Sequence, residues 1–434
     1  MRTVGGLHAG MLVRANLTWA VQRAMRGRRE RPEVREYLGR LDEELDGLRE
    51  RLESGRLDCG RCHTFVIHDP KERRITAPIF RERVLHHAVM NLCAPVLDRR
   101  QPFHSYACRE GKGTFRALDH ARRMAGCTGW FLKLDVRKYF DSIRHDLLED
   151  ALMRVFREDR VVSMLMDLVR AYRPGAGRGL AIGTLVSQHL ANFFLVRVDE
   201  VLVQAKTGHP RGYVRYMDDL AAWFDRSEDA CRARDGVVEF AASQLDLEFK
   251  TRFINRTSRG MDFLGHRVHP HWLGLNRASR RRYARAIRHL HGSVTAGTMS
   301  EREAQMRATS VTAFTARAHC IRWRRRIHEN LENRPQAGGA CSAVAAGSTT
   351  AGTPPPATAT ATSQATGTTT SGSGPVPALP DGRSPQMEQA CSPAPDPRVP
   401  DKTQSPRHRS VTDVTDVSSA KADAGGDSRP PLFP

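Results

Sequence analysis

Three aspartates carry the chemistry that this sequence could perform. Asp218 and Asp219 stand side by side within "VRYMDDLAAWF", a stretch that is otherwise mostly apolar or aromatic. Adjacent carboxylates repel, and carboxylates are rarely buried without a partner. A third, Asp135, lies at the end of the apolar run "GWFLKLDV". If the strands holding them are neighbours in one sheet, the three converge at one edge, where divalent cations would neutralise them. Mg²⁺ prefers a few carboxylates together with substrate phosphate oxygens. Two such ions about 3.5–4 Å apart drive in-line displacement at phosphorus. An Asp-Asp pair by itself reads as a solvated turn; the flanking strands and Asp135 turn the balance toward metal.

The elements that must position these groups follow from the hydrophobic pattern. "GYVRY" and "LAAWF" read as two short strands around a Met217-Asp218-Asp219 turn, and "GWFLKLDV" as a buried strand. Leu38, Leu41, Leu45, Leu48 and Leu52 recur at helical spacing, predicting one helix. "HTFVIHDP" reads as a strand running into a turn, and "FRERVLHHAVMNLCAPVLDRR" as a helix broken or kinked at Pro95. Helical material extends to about Tyr172, and "TLVSQHLANFFLVRVDEVLVQ" reads as one long helix. Helices alternating with paired strands give an α+β class with an antiparallel sheet.

Composition bounds the rest. The 434 residues carry 68 Lys and Arg against 48 Asp and Glu, a formal charge of +20, which favours a polyanionic partner and nucleic acid above all. No run approaches the ~18 apolar residues of a membrane span. The N-terminus lacks the pattern of a secretory leader, and nine scattered cysteines suit reduced thiols. A cytoplasmic location is therefore expected, with no membrane partner. Beyond Arg334 the chain turns to Ala, Thr, Ser, Gly and Pro, so residues 335–434 are expected to be disordered. "CGRCH", Cys59 to His63, has half the spacing of a zinc site but lacks a second cysteine pair. "GAGRGLAIG" lacks the Lys-Ser/Thr of a phosphate loop. His86 and His87, on an apolar helix, are expected to be one packed and one exposed.

"YMDD" and "LKLDVRKYFDSI" together resemble the reverse transcriptases, related to those of group II introns. The collinear blocks "DPKERRITAPIFRERVLHHAV", "SYACREGKGTFRAL", "GLAIGTLVSQHLANFFL" and "RGMDFLGHRVHP" resemble the branch found in diversity-generating retroelements. Most prokaryotic relatives have Gln-Gly and Ser-Pro in the third block, where this chain has Ile182-Gly183 and Ser187-Gln188.

The resemblance implies a right-hand polymerase with an N-terminal helical extension (1–58), fingers (59–128), palm (129–270), helical thumb (271–334) and tail (335–434). It implies Asp135, Asp218 and Asp219 as metal-binding catalytic residues, with the Val136 carbonyl as an extra ligand for two Mg²⁺ ions, Mn²⁺ being a substitute. Lys71 and Arg73 would contact the incoming triphosphate, with Arg74 as an alternative to Arg73. Phe140 would block a ribose 2′-hydroxyl, or simply pack. Ile182 and Gln188 would lie at the incoming nucleotide, and Lys250 could protonate the leaving pyrophosphate. Arg109 and Lys112 would meet the template backbone, or form a solvated basic loop. Arg280, Arg281 and Arg282 would track the duplex. The partners implied are a template RNA, a primer 3′-end, dNTPs and a small basic accessory protein. The alternative within the same chemistry is an antiviral-defence or domesticated reverse transcriptase, and the competing expectation from another class, ranked below it, is a non-catalytic RNA-binding protein on a polymerase palm.

Overall fold

The computed structural model describes residues 3–68, 72–172, 177–204 and 208–332. The tail, Lys71 and the Asp69-Pro70 turn lie outside them.

Among the described residues, nine strands form three antiparallel sheets. β1 (Cys62–His68) and β2 (Glu72–Pro78) make a hairpin. β3 (Trp130–Val136), β4 (Gly212–Tyr216), β5 (Asp219–Phe224) and β6 (Phe249–Arg256) form the central sheet in the order β4-β5-β3-β6. β7 (Met261–Phe263), β8 (His266–Val268) and β9 (Leu273–Leu275) make a small meander.

β3 is interior to its sheet because both of its faces are apolar. Leu132, Leu134 and Val136 enter the main core, while Phe131 on the opposite face joins Trp223, Phe263 and Val268 in a second one. Lys133 and Asp135 interrupt that second face. Met11, Leu17, Val21 and Leu45 from the N-terminal helices share the main core with β3. The described residues up to 58 therefore pack as part of the same body.

Several helices depart from the sequence pattern. The leucine stripe is divided into Pro32–Gly39 and Leu41–Ser54, because Arg40 leaves the helical region at φ −126° and ψ 37°. The expected long helix after Gly183 is likewise two, Leu185–Phe194 and Val196–Gln204, separated at buried Leu195. Phe80–Arg100, in contrast, is unbroken through Pro95. Met90 and Cys93 before the proline and Val96 and Leu97 after it are all buried, so packing holds both halves. His87 is not exposed as expected: His86 and His87 are both largely enclosed, and burial, reinforced by Arg83, lowers each to about 3.

After β9 come Arg277–Thr295, Glu301–Ala313 and Ile321–Glu332. Asn276 caps the first by accepting from the Ser279 N–H at 2.9 Å.

Candidate active site

The ladder of the central sheet positions the three aspartates. Asp135 stands opposite Asp219 between β3 and β5, and Tyr216 pairs with Asp219 between β4 and β5. Asp219 thus belongs to a strand, and Met217 and Asp218 form the hairpin tip. Met217 holds φ at 55°, a left-handed conformation that a hairpin tip can require and a Met side chain disfavours.

The hairpin is held from behind by a buried cation. Arg215 is fully enclosed, and its Nε donates to Asp199 Oδ1 at 2.8 Å and Oδ2 at 3.0 Å. Nη1 donates to Asn192 Oδ1 at 2.9 Å and to the Met217 carbonyl at 3.3 Å, and Nη2 to the Asn192 carbonyl at 3.1 Å. The Tyr213 hydroxyl also donates to Asp199. A guanidinium so placed fixes the carbonyl of the strained residue at the tip.

In front lie the carboxylates. Burial, then proximity to Asp135 and Asp219, raises Asp218 to about 6, with Arg73 opposing the shift. Burial also raises Asp219, against the ion pair it makes with Lys133. Hard oxygen donors that resist ionisation in one another's company suit a hard divalent cation. Among the described residues no three His, Cys, Asp or Glu side chains converge closely enough to hold an ion unaided. The described side chains thus form no all-protein cage, and a hard divalent cation held by these carboxylates would need oxygen ligands from outside the chain.

The segment from Gly179 to Gly183 joins several expected nucleotide contacts. Leu180 N–H donates to the Phe140 carbonyl at 2.7 Å, and Thr76 N–H on β2 donates to the Ile182 carbonyl at 2.7 Å. Phe140, Ile182 and the strand carrying exposed Arg73 are thereby tied together. Gly183 has φ 113°, and a Cβ there would stand 2.6 Å from the Thr76 carbonyl oxygen. Phe140 packs in part on the main core, edge-on to Tyr139. Gln188 Oε1 lies 3.6 Å from Cys108 Sγ, linking the Leu185–Phe194 helix to the 108–113 loop. Lys250 is exposed in a bulge of β6: Thr251 faces Asp135 and Phe249 faces Val136, which leaves Lys250 as the extra residue beside the aspartate.

The expected template contacts divide. Arg109 is engaged within the chain: it donates to Asp98 Oδ1 at 2.5 Å, to the Pro102 carbonyl at 2.6 Å and to the Ser105 carbonyl at 3.1 Å. Its fork closes its own loop, as a planar guanidinium near several carbonyls will. Lys112 lies 3.3 Å above the Phe103 ring, and Phe103 is 71% exposed. Arg280, Arg281 and Arg282 are exposed on Arg277–Thr295, where Arg280 also lies over Trp323 at 5.7 Å.

Sequence reasoning missed Arg215 and Lys133. The only signal was a charge at an inward position of an apolar strand, "YVRY" and "FLKLD".

The family model for reverse transcriptase (RNA-dependent DNA polymerase) matches residues 68–268. The COX1/OXI3 intron 1 protein of Saccharomyces cerevisiae is 27% identical over 142 residues, 31% of this chain and 17% of its own length. Protein YkfC of Escherichia coli is 24% identical over 280 residues, 53% of this chain and 72% of its own. A solved telomerase from Candida tropicalis, in complex with a fragment of telomeric RNA, aligns over 59% of this chain and 53% of its own, at 10% identity and TM-score 0.40. Asp135, Asp218 and Asp219 all fall within the residues, 68–268, that are similar to the reverse transcriptase family model.

Proposed function

We propose that the protein extends a primer 3′-end along an RNA template with dNTPs and Mg²⁺, as the error-prone reverse transcriptase of a diversity-generating retroelement. The observation that carries the polymerase reading is the ladder pairing of Asp135 with Asp219 beside a tip occupied by Asp218. Asp135 and Asp218 would hold the ions, with the Val136 carbonyl adjacent. When bound, the ions activate the primer hydroxyl and stabilise charge developing at phosphorus.

The remaining work falls to the chain. Arg73, with Lys71, binds the triphosphate as a fork and a point charge. The Phe140 ring rejects a 2′-hydroxyl by overlap. Gln188 braces the loop next to the template path, and Lys250 is placed for the leaving group. Lys112 and Arg280, Arg281 and Arg282 supply sequence-independent phosphate contacts. Ile182 offers the nascent base pair no hydrogen bond, and one missing polar contact weakens discrimination by about 1–3 kcal/mol. That supports error-prone copying, which in the branch falls at template adenines. The partners would be a template-repeat RNA and a small basic accessory protein, in the cytoplasm.

Primer extension on RNA templates with Mg²⁺ tests the chemistry. Asp218→Asn should lower the rate by about 10³-fold. A wild-type protein that is inert on every template with either Mg²⁺ or Mn²⁺, its own flanking RNA included, would leave a non-catalytic RNA-binding role. Ile182→Gln should reduce misincorporation opposite adenine by about tenfold. The retroelement role predicts near-identical repeats flanking the gene, with mismatches confined to adenines of one copy. Their absence would shift the role to defence or a domesticated enzyme.

A further inference from the structure

The three carboxylates are not equivalent. Asp219 faces the meander: Lys133 Nζ stands 2.8 Å from its Oδ1 and 3.1 Å from its Oδ2, and the Leu264 backbone N–H also donates to it. Lys133 precedes Asp135 by two positions on β3, so both side chains leave the same face of the sheet. Its ladder partner on β5 is Ala221, whose methyl group leaves the lysine stem room to reach Asp219. The same ammonium donates to the Asp262 carbonyl at 2.6 Å and lies 5.2 Å from the centre of the Phe263 ring. With its side chain only 17% exposed, Lys133 directs these contacts onto β5 and β7.

We propose that Lys133 is a resident counter-cation that latches Asp219 to the β7–β8 turn, leaving Asp135 and Asp218 as the carboxylates open to ions. The proposal rests on the polymerase reading above. A half-buried ammonium offsets one of the three negative charges, so the sheet end keeps its geometry before any ion arrives. It also limits the attraction for a lone ion, so that ions are captured efficiently only when a triphosphate brings further oxygens. The latch has a mechanical side too. β9 ends at Leu275 and the next helix begins at Arg277, so Lys133 ties the catalytic hairpin to the sheet from which that helix departs. Lys133 is a positioning residue in this scheme and touches no substrate.

The test is Mn²⁺ binding to the full chain without nucleotide, followed by the electron paramagnetic resonance signal of free Mn²⁺. Lys133→Met should bind Mn²⁺ about tenfold more tightly than wild type, about 1.4 kcal/mol, because Asp219 is released with its charge unpaired. Lys133→Arg should keep the wild-type affinity. The double variant Lys133→Met with Asp219→Asn should return to it, a reversal that a merely structural lysine would not produce. Lys133→Gln, which keeps the length and polarity of the stem, serves if Lys133→Met is unfolded by circular dichroism. Unchanged or weaker Mn²⁺ binding in both neutral variants, with primer extension by the wild type intact, overturns the latch. Failure of the wild type to extend any primer overturns the polymerase reading beneath it.

Discussion

The hairpin carrying the aspartates and the helices after β9 are built by different means. Behind the hairpin, Arg215 is fully buried and its guanidinium is shared among Asp199, Asn192 and the Met217 carbonyl, within a core that extends to the N-terminal helices. The helices from Arg277 onward rest on small clusters, Tyr283, Ile287 and Leu331 in one and Leu275, Ala318 and Cys320 in another. Glu301–Ala313 has no fully buried residue. The first region fixes atoms through buried polar contacts; the second presents a charged surface over few buried contacts.

The contrast can be broken at its strongest point with Arg215→Leu. This leaves Asp199 buried without its cation and should cost about 3–5 kcal/mol in denaturant unfolding. A loss below about 1 kcal/mol, at the level of a surface pair, would mean that the hairpin is not held from behind. Acid should act on the same region next. His86 and His87 sit near 3 in the fold against an ordinary 6.5, so the unfolded chain binds more protons between these values. Stability should be full above pH 6.5 and fall steadily toward pH 3, and Arg83→Gln should soften the fall by removing a neighbouring charge. Urea midpoints across that range would check it.

In the second region, Ile287→Ala should cost about 2 kcal/mol, and only locally. Hydrogen exchange should quicken across 277–332 while β3 and β5 keep their protection; quickening in both would merge the two regions into one cooperative unit. The smallest effect should come from Arg281→Ala, which is expected to lower the salt slope of duplex binding by about one unit without changing sequence preference.

What could be read from the sequence was whatever depends on local period. "LKLDV" and "YMDD" announced a buried strand and a hairpin, because alternation and a polar tip are written in adjacent residues. The divisions at Arg40 and Leu195 were not legible, since the apolar stripe continues across both and only the fold around them decides where a helix ends. Arg109 looked like a template contact because its loop is basic and glycine-rich; its actual partners, Asp98 and the Pro102 and Ser105 carbonyls, depend on how the loop folds back. The pairing of Lys133 with Asp219 spans 86 positions and needed the sheet order to be known.

One contact described above bears on how such an enzyme can change over time. At Gly183 any side chain would strike the Thr76 carbonyl, while the neighbouring Ile182 accepts from the same strand through its backbone carbonyl. Variation in this segment is therefore channelled: position 183 is locked by the shape of the main chain, and position 182 can exchange side chains without disturbing the contact. Under the role proposed for Ile182 at the nascent base pair, single substitutions at one codon would raise or lower the accuracy of copying and keep the backbone hydrogen bond from Thr76.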